Sequence, residues 1–177
     1  GDPQELLAVY PADDGFEVKI LGGADAAGKI LGRIPENWTV YPFDALSPME
    51  FLSQIDVYVF FTRSGCVEAF GRSPLEAMAA GVPVVLPGNF RPLFKDAAVY
   101  AEPFEVRSRV MQLYTDREAY RSQVEIGREF VRRHFGFEEH MRRLAVYVKN
   151  PCLEKMSLEF DPGNDSHRQE CLPGVDS

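Results

Sequence analysis

Asp56-Val57-Tyr58-Val59-Phe60-Phe61, then Ser73-Pro74-Leu75-Glu76-Ala77-Met78-Ala79-Ala80-Gly81, then Val82-Pro83-Val84-Val85-Leu86: these three runs decide the fold. The first is β-branched and aromatic almost without a break, as in a strand covered on both faces. The second opens with serine, proline at the first helical position and glutamate at the third, continues in small helix formers and stops at a glycine. The third is another β-branched run, with Pro83 at its entrance where a missing N–H does least harm. Strand, helix, strand in that order predicts parallel α/β architecture.

Working outward, the same alternation extends both ways. Val18-Lys19-Ile20-Leu21-Gly22 predicts a strand with a glycine exit, Trp38 to Tyr41 a second, and Ala97-Ala98-Val99-Tyr100 a short edge strand. Helices are predicted from Pro3 to Tyr10, over Ala24 to Leu31, and after Ser47-Pro48-Met49-Glu50, which carries a capping-box signature. Beyond residue 104 only helices are expected: Val106 to Tyr114, Arg117 to Arg133 and Glu138 to Val148. Residues 1–149 therefore form a Rossmann-like domain, a parallel sheet flanked by helices with a helical end, and 150–177 a polar C-terminal tail. The chain opens in a helix, so the N-terminal strand of the domain is expected to be missing.

The chemistry is expected between Glu68 and Gly81. In open parallel sheets ligands bind beyond the C-terminal ends of the strands. A helix that starts there offers unpaired N–H groups and partial positive charge to an anion such as a phosphate. Gly71 lets the backbone approach closely, Ser73 caps the helix, and Arg72 supplies a charge-assisted bond. Glu68 and Glu76 flank the anion, where a carboxylate costs electrostatically unless it binds hydroxyls. Each has a plainer reading as well: Glu76 closes a capping box with Ser73, and Glu68 is a loop acid.

Glu68 and Glu76 spaced by seven residues, with Phe70-Gly71, Pro74-Leu75-Glu76-Ala77-Met78-Ala79 and Gly81-Val82-Pro83-Val84-Val85, resemble the E-x7-E signature of the retaining nucleotide-sugar glycosyltransferases of group 1, the GT4-like family with the GT-B fold. The likeness takes in Asp56 to Val59, Gly127-Arg128, His134-Phe135 and Phe137 to Tyr147, so it runs over roughly residues 3–149. The resemblance implies the C-terminal, donor-binding half of that fold. It implies that Gly71, Arg72, Ser73, Pro74 and Leu75 hold the donor diphosphate and that Glu76 binds the ribose hydroxyls. Glu68 would be the catalytic residue, orienting the transferred sugar, and Tyr41 to Asp44 would meet the base. The nucleotide sugar is then a substrate, and no metal or other cofactor is implied.

There are departures from that pattern. Ala69 replaces the usual glycine, the stretch from Thr62 to Val67 is long and holds Cys66, and Gly88 to Phe94 is bulkier than the usual glycine-rich loop. The family's basic pair and its acceptor-binding domain precede the part matched here. Arg63 and Arg72 compensate in part for the pair. The acceptor-binding half of the same protein is an expected partner, and the isolated piece is expected not to transfer sugar. Two alternatives stay open: an epimerase-like domain acting on nucleotide sugars, and a non-catalytic interaction domain of the same fold. The first would need an acid/base group near the cleft, yet His134, His140 and His167 lie in the helical region and the tail. The second would be expected to lose Glu68, Glu76 or the glycine turn, and all are present.

Bulk properties narrow the field. A formal charge of -8 argues against a nucleic-acid partner. Residues 105–149 are nonetheless net basic, with 7 acidic and 10 basic side chains, and read as a solvated helix face. Cys66, Cys152 and Cys171 are sparse and odd in number, which favours a reducing compartment. Cys66 reads as incidental rather than nucleophilic. No apolar run approaches a membrane span. A cytoplasmic protein is expected, with no membrane contact by this piece and a peripheral place at the inner membrane surface open to the full-length protein.

Overall fold

A computed structural model of the chain describes residues 3–13, 15–22, 24–61 and 72–148. The elements run α1 (Pro3–Val9), β1 (Val18–Leu21), α2 (Ala24–Leu31), β2 (Trp38–Tyr41), α3 (Pro48–Leu52), β3 (Tyr58–Val59), α4 (Arg72–Ala80), β4 (Val84–Leu86), α5 (Arg91–Phe94), β5 (Val99–Tyr100), α6 (Val106–Thr115), α7 (Arg117–Phe135) and α8 (Phe137–Val148), with 3-10 turns at Gly88–Phe90, Lys95–Ala97 and Pro103–Glu105. Residues up to Phe135 form one compact unit, and α8 belongs to a second.

Among the described residues every strand pair is parallel, as the alternation of strands and helices requires. The hydrogen-bonded strands fall into two groups among the described residues: β1 with β2, and β3-β4-β5. β5 is at the edge of its group, as expected. The run from Asp56 to Phe61 departs from expectation, since only Tyr58–Val59 is strand and both residues are half-buried. Among the described residues its pairing comes from one side: Tyr58 N–H donates to Pro83 and Phe60 N–H to Val85. A strand with one neighbour is shorter and less enclosed than its composition suggests.

β4 shows why its run is unbrokenly apolar. Val84 and Leu86 point into a cluster with Ala77, Met78, Phe90 and Phe94, to which Phe130 and Val131 of α7 add. Val85 points the other way, into a cluster with Val9 of α1 and Val106 and Leu113 of α6. Alternate residues of one strand thus feed two cores, one on each face. The loop into β1 is gathered by a single side chain, since the Asn37 amide donates to the carbonyls of Pro11, Asp13 and Phe16 at 2.9–3.1 Å.

The basic helical section is largely self-neutralised. Glu129 pairs with Arg132 and Arg133, and Glu139 with Arg142 and Arg143, each at i+3 and i+4 on one helix. The hydrogen bonds from these arginines pull both carboxyls down to about 2. This arrangement matches a solvated helix face.

Candidate functional site

The site begins where α4 begins. This helix starts at Arg72, so Ser73 and Pro74 are its second and third residues. The expected cap at Ser73, which would make Pro74 the first helical residue, and with it the capping box closed by Glu76, is corrected: the helix starts two residues earlier. Proline is tolerated at the third position because the first N–H groups of a helix have no intrahelical partner. Glu76 is consequently not needed for the helix end. Glu68, Gly71, Arg63 and Cys66 lie outside the described residues.

The two faces of α4 have different tasks. Pro74, Ala77 and Met78 are buried, Ala77 completely. Arg72 is exposed, and Ser73, Leu75 and Glu76 are half-exposed. Arg72 and Glu76 are one helical turn apart, and Ser73 and Glu76 are three residues apart, so all three share a face. A charged donor, a hydroxyl and a carboxylate are therefore presented together at the first turn, while small and compact residues hold the other side.

That hold is tight. Gly127 of α7 packs so closely on Met78 that an added Cβ would lie 3.3 Å from Met78 Cγ. Gly81 follows α4 in the left-handed region at φ 85. Its N–H donates to Met78 and the N–H of Val82 to Ala77, which closes the C-terminus in a Schellman motif. Arg128 of α7 donates to the Ala80 carbonyl at 3.3 Å and brings a positive charge to the negative end of the helix. α4 is thus fixed at its back and at its C-terminus.

The neighbouring strand ends are also suited to a ligand edge. Gly22, just past β1, has φ 78, and an added Cβ would lie 3.3 Å from the Phe43 ring. Phe43, in the turn after β2, is 82% exposed, and Asp44 beside it adopts φ 66. The segment Tyr41 to Asp44 thus offers an uncovered aromatic ring at the C-terminal edge. Past β4, Arg91 lies over the Tyr100 ring at 4.3 Å. Burial pushes the Tyr100 phenol up to about 12, against the opposing pull of Arg91. Phe43 and the Arg91–Tyr100 stack were not legible as such in the sequence, because neither carries a motif.

Two clefts, of about 400 and 560 Å³, lie elsewhere: one between the strand groups, the other beside α7 at Phe94 and Phe130. Neither contains a residue of the α4 start. The exposed face of α4 lies outside both clefts. His134 packs at a tilt against Phe130, with ring centroids 4.7 Å apart, both on α7.

A family model described as glycosyl transferases group 1 matches residues 33–129, more than half of the chain. The chain belongs to that family. The match spans β2 to most of α7, and so includes the first turn of α4, the Gly81 terminus and the Gly127-Arg128 clamp. None of the curated proteins compared matches it. For a group 1 glycosyl transferase the architecture is fitting: parallel strands flanked by helices, ending in a helical segment. No described helix is long and apolar enough to cross a membrane.

Proposed function

We propose that this chain is the donor-binding, C-terminal half of a retaining, GT4-like glycosyltransferase. The observation that carries the reading is the first turn of α4: Arg72, Ser73 and Glu76 share its open face while Pro74, Ala77 and Met78 anchor the other. In this reading the donor diphosphate sits at the helix start, received by backbone N–H groups around Gly71 to Leu75 and by the Arg72 guanidinium. Glu76 accepts hydrogen bonds from two ribose hydroxyls. Glu68 orients the transferred sugar near its reacting carbon, and Phe43 offers a face to the base.

Charge builds on the departing diphosphate as the glycosidic bond breaks. Donors fixed beforehand at the helix start stabilise it without reorganising. The acceptor attacks on the face that the diphosphate leaves, with the diphosphate taking the proton, so configuration is retained. The remaining contribution is positioning. A metal is not part of this reading. The acceptor is bound by a second domain of the same protein, and this piece alone binds donor without transferring sugar. A reducing, cytoplasmic setting suits its sparse cysteines.

The test is calorimetric titration of the chain with UDP, GDP and ADP, each free and as a sugar conjugate, beside Glu76→Ala. Saturable binding of one nucleotide, weakened about tenfold or more in the variant, is the expected result. Equal affinity in both proteins would refute the ribose assignment.

A further inference from the structure

The turn after β2 carries a charged side chain that the fold does not use. Residues 42–45 form a β-turn, closed by the Ala45 N–H on the Pro42 carbonyl at 3.2 Å. Asp44 is its third residue, at φ 66, a backbone that glycine adopts without strain. Aspartate in a turn or cap ordinarily bonds its carboxylate to a nearby backbone N–H. Asp13 does so with Gly15 and Asp116 with Ala119, both at 2.9 Å. Asp44 is exposed, and its carboxylate meets no donor or cation among the described residues.

The residue before it is equally uncommitted. Phe43 is 82% exposed, and its ring lies against buried Gly22, where an added Cβ would come within 3.3 Å of Cδ2. Main chain at the exit of β1 thus backs one flank of the ring, and the rest is open to water. An uncovered aromatic face followed directly by an unpaired carboxylate is a stacking platform with an acceptor at its rim.

We propose that Phe43 and Asp44 read a guanine base, so that the donor is a guanosine diphosphate sugar. The ring stacks on the purine, and the Asp44 carboxylate accepts from the N1–H and the exocyclic amino group. This inference rests on the donor-site reading and names its base. A free carboxylate repels the diphosphate of any nucleotide, so in a nucleotide site it needs donors of its own. In the donor-site reading Glu76 takes the ribose hydroxyls, which leaves Asp44 the edge of the base.

The chemistry of that edge selects among the bases. A carboxylate only accepts hydrogen bonds. Uracil offers one N–H between two carbonyl oxygens, and those oxygens oppose a carboxylate. Adenine and cytosine place an amino group beside a ring nitrogen whose lone pair faces the second carboxylate oxygen. Guanine alone sets two N–H donors side by side, the fork that a carboxylate receives with both oxygens.

Calorimetric titration of the chain with GDP, UDP, ADP and two altered purines tests the proposal. Inosine diphosphate lacks the amino group, and xanthosine diphosphate carries a carbonyl in its place. GDP should bind about tenfold or more tightly than inosine diphosphate, UDP or ADP, the loss expected for a hydrogen bond to a charged group. Asp44→Asn, which keeps a residue suited to positive φ, should reverse the order of GDP and xanthosine diphosphate, because its amide donates to the new carbonyl. Phe43→Ala should weaken every nucleotide several-fold without changing their order. Equal binding of GDP and inosine diphosphate, a preference for UDP or ADP, or an unchanged order in Asp44→Asn would overturn the proposal. The donor-site reading survives those results if the nucleotide that binds is still weakened by Glu76→Ala. Binding of no nucleotide would overturn both.

Discussion

The Arg128 guanidinium lies flat against Gly81: an added Cβ would come within 2.7 Å of Cζ and 2.8 Å of Nε, while the same group donates to the Ala80 carbonyl at 3.3 Å. α4 ends where it does because α7 closes over its last carbonyl, and only glycine leaves room for that.

Gly81→Ala meets both obstacles at once, a left-handed backbone and a displaced arginine. The loss should be about 2 kcal/mol or more by urea denaturation. Arg128→Ala in the same background should recover the steric part and leave the backbone part. Full additivity of the two changes would disprove the coupling.

Gly127 tests the packing behind the site. Alanine there gains helix propensity but crowds Met78 Cγ at 3.3 Å, so Gly127→Ala should be close to neutral. Gly127→Ile should overpack the α4–α7 contact and cost about 1–3 kcal/mol. It should also weaken nucleotide binding, because the first turn of α4 shifts with its back. Unchanged binding in a destabilised Gly127→Ile protein would show that the turn is held independently of α7.

Glu76 separates ligand from fold. With Arg72 rather than Ser73 at the helix start, Glu76 closes no capping box. Glu76→Ala should therefore leave the thermal midpoint nearly unmoved while nucleotide affinity falls. A clear drop in the midpoint would restore the capping role and undercut the binding one.

Alkali should reveal Tyr10. Burial, then the nearby Tyr58, push its phenol up from 10.0 to about 12, although the Phe61 N–H pulls the other way. A phenol raised on folding contributes stability that is full below about pH 10 and is lost as pH rises towards 12. Denaturation midpoints should fall across that window, and less steeply in Tyr10→Phe. Tyr100, similarly raised, supplies a residual slope.

Acid should act through the arginine forks. Glu129 and Glu139 are held at about 2 against an ordinary 4.5 by bonds first from Arg132 and Arg142, then from Arg133 and Arg143. A lowered carboxyl contributes above its unfolded value, and the contribution disappears as pH falls from about 4.5 towards 2. Helicity measured by circular dichroism should decline in that range, and Glu129→Gln should flatten the decline. Salt should shrink the effect, since both pairs sit at the surface.

Two nearly identical signatures show how far the sequence reaches. Ser47-Pro48-Met49-Glu50 forms the capping box that it spells: Ser47 accepts from Glu50 N–H and Glu50 accepts from Ser47 N–H. Ser73-Pro74-Leu75-Glu76 spells the same box and does not form it, because its proline is buried with Ala77 and Met78 and the helix begins at Arg72. The first signature is exposed and only local bonds act on it. The second is packed, and packing sets its register.

The sequence by itself determined the order and kind of the main elements, without the short helix α5, and the parallel character of the sheet. Those follow from side-chain periodicity and turn chemistry, which act over a few residues. Which strands pair, and that the Tyr10 hydroxyl donates to the Val59 carbonyl, were decided only by the tertiary structure. Strand pairing joins groups dozens of residues apart, and a backbone edge carries no side-chain mark of the neighbour it needs.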